Sequence, residues 1–198
     1  MRKTISIVIP VFNEEENLRE FYTRLTKVMS EVSYDYDIIF VDDGSRDASS
    51  AILYDLSQND EHVQAYLLSR NFGHQMALTC GLDHAEGDAV ITMDGDLQHP
   101  PELLPELISL WEEGYEIVQM VRKDTADASY FKKLTSSAYY KLINKMSKVR
   151  ITPGGSDFRL MDRVAVDALK LYNERARFIR GIVNNLGFKL KTVEFIAP

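Results

Sequence analysis

Apolar and polar positions follow two periods along this chain. Short β-branched runs, ISIVI (5–9), YDIIFV (36–41), VQAYLL (63–68), AVITM (89–93) and EIVQMV (116–121), are bounded by polar or turn residues and read as strands. Between them lie longer stretches with apolar residues every three or four positions. The first, about 14–32, puts Leu18, Phe21, Tyr22, Leu25, Val28, Met29 and Val32 on one stripe, which predicts a helix packed on a core. Asp47 or Ser45 is placed to cap a second helix. Pro100 and Pro101 suit the first turn of another, where the missing N–H has no intrahelical partner anyway, and Gly114 stops it. Strand–helix alternation of this kind predicts an α/β fold with a mainly parallel central sheet flanked by helices. One more amphipathic helix is predicted over 129–148. Its apolar residues Phe131, Leu134, Ala138, Leu142, Ile143 and Met146 are interleaved with Lys132, Lys133, Lys141, Lys145 and Lys148, a face that suits either a core or a membrane surface.

The chain has 198 residues, 45% hydrophobic and 27% charged, which suits one domain and excludes disorder and fibrous repeats. No run approaches the roughly 18–20 apolar residues of a membrane span. The N-terminal MRKTISIVIP is too short in its apolar part for a secretory signal, so a cytosolic setting is expected. A single cysteine, Cys80, excludes an internal disulfide and is expected in the core. Net charge is −7, but its division matters more: residues 1–121 hold 7 basic and 23 acidic side chains, and 122–198 hold 16 and 7. A negative partner is expected near the second part, with nucleic acid, substrate phosphate and an anionic membrane surface as the candidates.

In a parallel sheet, ligands bind beyond the carboxyl ends of the strands. Four such ends are chemically loaded: Pro10-Val11-Phe12-Asn13-Glu14, Asp42-Asp43-Gly44-Ser45, Ser69-Arg70-Asn71-Phe72-Gly73 and Asp94-Gly95-Asp96-Leu97-Gln98. No glycine-rich phosphate loop of either common type is present, so phosphates need another holder. Asp94 and Asp96 offer one, since carboxylates two apart in extended chain point the same way and their hard oxygens suit Mg or Mn. A turn or capping role is the alternative. Asp42 and Asp43 could accept from base N–H groups or ribose hydroxyls, or could form a turn around Gly44. Arg70 could meet phosphate or stack on a base, and Phe12 could pack beside one or staple the first helix. Thr152 to Arg159 reads as a tight glycine-containing loop carrying a third carboxylate, Asp157, which a turn or cap role would also explain. His62, His74, His84 and His99 lack metal-ligand spacing and are read as surface residues or supports behind the site.

The stretches SIVIPVFNEEENL, FVDDGSRD, LSRNFGHQMALTCGLDHAEGDAVITMDGDLQHPPELLPEL and GGSDFRLMDR resemble those of inverting nucleotide-sugar glycosyltransferases with a GT-A fold, in particular the polyisoprenyl-phosphate branch. The resemblance covers nearly the whole chain. It implies that Pro10, Phe12, Glu14, Asp42 and Asp43 face the nucleoside with Arg70 beside it, and that Asp94 and Gly95 line the donor site. Asp94 and Asp96, helped by Gln98, would hold Mg or Mn on the diphosphate. Asp157 would be the catalytic carboxylate, and Arg122, Arg177 and Arg180 would meet acceptor or donor phosphate. Residues 1–121 would form the nucleotide-binding part and 122–198 the acceptor- and membrane-facing part of one domain. Relatives of this type continue into C-terminal membrane helices, so the chain is expected to be a soluble catalytic domain of a protein at the cytoplasmic face of a membrane. A UDP-sugar donor, a polyprenyl phosphate acceptor and an anionic membrane surface are the implied partners, and nucleic acid is not one.

The implied reaction moves a hexose, glucose from UDP-glucose, onto polyprenyl phosphate. Two alternatives stand: a soluble hydroxyl acceptor, for which Asp157 would have to act as general base, and a nucleotide-sugar-binding module without turnover. A haloacid-dehalogenase phosphatase built on Asp94 and Asp96 ranks below both, because Gln98 stands where such enzymes carry Thr or Val.

Overall fold

A computed structural model of the protein describes residues 2–123, 155–172, 174 and 177–197. The predicted helix 129–148 and the start of the Thr152–Arg159 segment lie outside them. The described strands are β1 (Thr4–Val11), β2 (Asp35–Asp42), β3 (Val63–Leu67), β4 (Ala89–Thr92), β5 (Ile117–Arg122), β6 (Gly155–Asp162) and β7 (Leu190–Phe195). They form one sheet in the order β3-β2-β1-β4-β6-β5-β7. β1 pairs in parallel with β2 and β4, β2 with β3, and β5 with β7, whereas β6 runs antiparallel to both β4 and β5.

Two apolar layers cover the sheet, and their composition follows from strand alternation. On one face Ile5, Ile7, Ile9 and Val11 of β1 meet α1 (Leu18–Ser30), α2 (Ser49–Asn59) and α4 (Leu104–Glu112). On the other, Val8, Ile39 and Val41 meet α3 (His74–His84), α5 (Arg163–Lys170) and α6 (Ile179–Asn185). With both faces covered, β1 is a nearly unbroken apolar run, as central parallel strands are. Leu18, Phe21, Leu25 and Met29 of the predicted stripe are all buried, each of the order of 1.5–3 kcal/mol in apolar transfer. Ala48 is the N-cap of α2, and Asp47 just before it accepts from the Ser49 N–H, while Pro101 opens a 3-10 turn that leads into α4. Gly114 stops α4 at φ +86.

Cys80 departs from its expected place. It is half-buried on α3 at the rim of the second layer, with its thiol 3.9 Å from His84 Nδ1. Among the described residues, no helix is long and apolar enough to cross a membrane.

The larger departure is β6. The segment read as a tight loop continues as a strand from Gly155, and its antiparallel course has one decisive effect. Thr92 of β4 is opposite Arg159, so the start of β6 reaches the level of the turn that follows β4. Alternation then sends Phe158 and Leu160 into the first layer and Asp157, Arg159 and Met161 toward α3 and α6.

Candidate active site

The first three strand ends are laced together by their own polar side chains. Asp42 is buried, and its carboxylate accepts from the Ser45 N–H at 3.0 Å and from the Ser45 and Ser50 hydroxyls. Asp43 accepts from the Phe72 N–H at 2.7 Å and the Gly73 N–H at 2.9 Å, so the second loop grips the third. Asn13, at φ +55, donates its N–H to Ser45 Oγ and accepts from the Arg46 N–H. Gly44 sits at φ +71 where an added Cβ would overlap the Arg70–Asn71 backbone, so the close approach of these loops requires glycine.

These loops wall a cleft of about 280 Å³ lined by Pro10, Val11, Phe12, Glu14, Asp43 and Asn71, and closed by His74, Asp94, Gly95 and Asp96. The Asp94 turn is strained, since Leu97 adopts φ +63, a left-handed conformation that costs a branched residue on the order of 1–3 kcal/mol. Packing of Leu97 against the first apolar layer and the bond from the Gln98 N–H to Asp96 Oδ1 hold it there. Asp94 donates its backbone N–H to His99 Nδ1 at 2.9 Å, which makes that nitrogen an acceptor. The 3.4 Å approach of the same nitrogen to Asp94 Oδ2 is therefore not an ion pair, and burial pushes the His99 pKa down. Among the described residues, Asp94 Oδ1 is buried without a hydrogen-bond partner. Burial pushes the Asp94 carboxyl up, and the neighbouring imidazoles only partly oppose it.

Asp157 is the opposite case. Its side chain is 1% exposed, yet Arg159 donates to Oδ1 at 2.9 Å while Arg180 (2.8 Å), His74 (3.2 Å) and Gln75 (3.2 Å) converge on Oδ2. Burial alone would raise its pKa, but the His74 and Arg180 hydrogen bonds and the arginine charges outweigh it and hold the carboxyl well below the usual range. Arg159 is itself fully buried, with Nε and Nη1 unpartnered. Burial lowers its pKa to about 10, so it keeps its charge at neutral pH. His74 stands between the two carboxylates, 3.6 Å from Asp94 Oδ1 and 3.2 Å from Asp157 Oδ2. The Asp157 hydrogen bond raises its pKa against the effect of burial.

The structure thus brings together Pro10, Phe12, Glu14, Asp43, Asp94, Gly95 and Asp96 around one cleft, with Asp157 and Arg180 behind His74. Others lie differently. Asp42 turns inward to its own loop rather than toward the cleft. Arg70 is exposed, its guanidinium 4.4 Å over the Phe72 ring. Gln98 accepts from Arg122 at 2.7 Å, so these two residues engage each other at the rim. Arg177 is removed from the site: it pairs with Asp83 at 3.0 Å and with backbone carbonyls near α5, at the far end of α3 from His74. His99 supports the Asp94 turn from behind, as the reading of the histidines as supports allowed, whereas the place of His74 in the wall of the cleft was not foreseen from spacing. Each directly follows a chemically loaded strand end, which was the available signal.

The chain matches the model of glycosyl transferase family 2 over residues 6–170. It belongs to that family. Among curated relatives, the uncharacterized glycosyltransferase YkcC of Bacillus subtilis is 45% identical over 96% of this chain and 59% of its own length. The bactoprenol glucosyl transferase of Shigella phage SfV is 42% identical over 97% of this chain and 62% of its own length. The chain spans about three fifths of the length of these relatives. Solved structures agree on the fold. Mannosyl-3-phosphoglycerate synthase of Rubrobacter xylanophilus superposes with TM-score 0.69 at 16% identity, covering 98% of this chain and 65% of that one. Glucosyl-3-phosphoglycerate synthase of Mycobacterium tuberculosis, crystallised with manganese, UDP and glucosyl-3-phosphoglycerate, gives 0.67 at 18%, covering 98% and 71%. The family-2 chain therefore has the GT-A fold.

The acidic turn suits a divalent cation in one respect that the side chains themselves display: Asp94 Oδ1 is a buried acceptor lacking any donor. The described residues contain no cluster of three or more His, Cys, Asp or Glu side chains that could hold a metal without help. Two carboxylates completed by substrate oxygens match that donor set.

Proposed function

We propose that this chain is the catalytic domain of an inverting hexosyltransferase that moves glucose from UDP-glucose onto a polyprenyl phosphate. The name carried by the phage relative supports the donor and acceptor class. Pro10, Phe12, Glu14, Asp43 and Asn71 would receive the nucleoside, and Asp94 with Asp96 would hold Mg or Mn. When bound, that cation neutralises charge growing on the leaving diphosphate. An acceptor phosphate oxygen attacks the anomeric carbon, a new C–O bond forms there, and the bond to the donor's β-phosphate breaks, its electron pair leaving with UDP.

The observation that carries this reading is the state of Asp157. A carboxylate engaged by two guanidiniums, an imidazole and an amide is a poor base, which counts against a hydroxyl acceptor that must lose a proton. A phosphate monoester has a second pKa of about 6 and reaches neutral pH mostly as a dianion. Asp157 then serves to fix His74 and Arg180, which orient the incoming anion. The basic segment 122–198 would lie toward an anionic membrane, on its cytoplasmic face. The test is transfer from UDP-glucose with manganese to polyprenyl phosphate and to sugar alcohols in parallel, together with thermal shifts by UDP and GDP. Transfer to the phosphate alone and a larger shift with UDP are expected. Transfer only to hydroxyl acceptors would overturn the reading, and a larger GDP shift would redirect the donor.

A further inference from the structure

A second groove, of about 420 Å³, adjoins the donor cleft with His74 as their common wall. It is lined by the apolar side chains of Phe72, Met76 and Phe178 and by Gln75 and Arg180, both of which bond the buried Asp157. We propose that this groove receives the junction between phosphate and hydrocarbon of the acceptor, with the phosphate against Arg180 and His74 and the first isoprene units between Phe72 and Phe178. The assignment rests on the reading of the acceptor as a polyprenyl phosphate.

Four observations lead to it. The groove is amphiphilic along its length, matching a ligand anionic at one end and apolar at the other. Its cationic end is built rather than incidental, because Arg180 and His74 both hydrogen-bond the same oxygen of buried Asp157, and Arg159 sits directly behind. His74, which would contact a phosphate lodged there, also borders the donor cleft and approaches its Asp94. Finally, Phe72 is 45% and Phe178 50% exposed, so two large apolar side chains face an opening that a free phosphate or a sugar hydroxyl would leave unfilled. The fold also makes room for Phe178: its ring lies over the first turn of α6, where a Cβ on Gly181 would come within 2.5 Å of it. Gly181 therefore sets where the aromatic wall stands.

Farnesyl phosphate, farnesol and inorganic phosphate separate the contributions. With UDP present, the parent chain is expected to bind farnesyl phosphate at least about tenfold more tightly than either of the other two. Phe178→Asp should raise KM for farnesyl phosphate by about tenfold or more while UDP still gives its full thermal shift. Phe178→Leu should recover most of that loss. Gly181→Ala, which displaces the ring and adds no charge, should move KM in the same direction. If the parent transfers glucose to farnesyl phosphate and neither Phe178→Asp nor Gly181→Ala alters KM, the groove is wrong and the reaction stands. Equal affinity for inorganic and farnesyl phosphate would reduce the groove to an anion site and overturn its lipid half. Transfer by the parent to hydroxyl acceptors only would overturn the reaction itself.

Discussion

The turn after β4 and the start of β6 each present a carboxylate to His74, and the two are built in opposite ways. Asp94 is 29% exposed and short of donors, with one oxygen orphaned and a pKa pushed up by burial. Asp157 is 1% exposed and saturated, with a pKa held far down by its cationic neighbours. Burial acts on both. What separates them is the supply of hydrogen-bond donors, and hence what each can still do. A carboxylate that lacks donors gains by acquiring a cation, whereas one surrounded by them holds others in place and has little basicity left.

Removing either carboxylate should therefore have opposite consequences for the empty protein. Asp157→Asn leaves Arg159 buried with its charge uncompensated, and breaking such a pair costs about 3–5 kcal/mol. Denaturant unfolding should show that loss, and transfer should fall by far more than UDP affinity. Arg159→Met should be milder, because Asp157 keeps Arg180, His74 and Gln75. If the two variants are equally destabilised, the saturation argument is wrong.

Asp94→Asn should leave the metal-free protein as stable as the parent or more so, since it removes a desolvated charge. The same variant should lose roughly tenfold or more in UDP affinity with manganese present and nothing further when a chelator is added. Calorimetry with and without chelator measures this. A parent-like affinity in manganese would return the turn to a purely structural role.

The smallest effect concerns His74. Its pKa is raised in the folded protein above an unfolded value of about 6.5, so its contribution is fully present below pH 6.5 and is lost as pH rises through the folded value. In chelator, parent stability should decline from about pH 6.5 upward, and His74→Gln should flatten that decline. A parallel pH profile for the two proteins would remove His74 from its bridging position.

How much of this was legible in the sequence differs across the same divide. The parallel half was readable because its strands are apolar runs with carboxylates at their ends, and α1 carries its stripe plainly. The cleft residues around Asp94 followed from position alone. The β6 half was obscured by Gly154-Gly155, which read as a loop, although the polar–apolar alternation from Asp157 to Leu160 was a strand signal. Asp42 and Arg177 stand apart from the cleft for another reason. Charged residue type does not say whether a side chain bonds its own loop or helix neighbours or a ligand, and Ser45, Ser50 and Asp83 decided those cases.

The reversed direction of β6 also makes the fold modular. The chain leaves the sheet at Arg122, beside the Asp94 turn through Gln98, and re-enters it at Gly155, which pairs with Val121 two residues before Asp157. Exit and re-entry are thus adjacent rungs of one ladder. The register of the catalytic strand is thus set by its own pairing with β4 and β5, and a change of sequence between residues 123 and 155 need not disturb it.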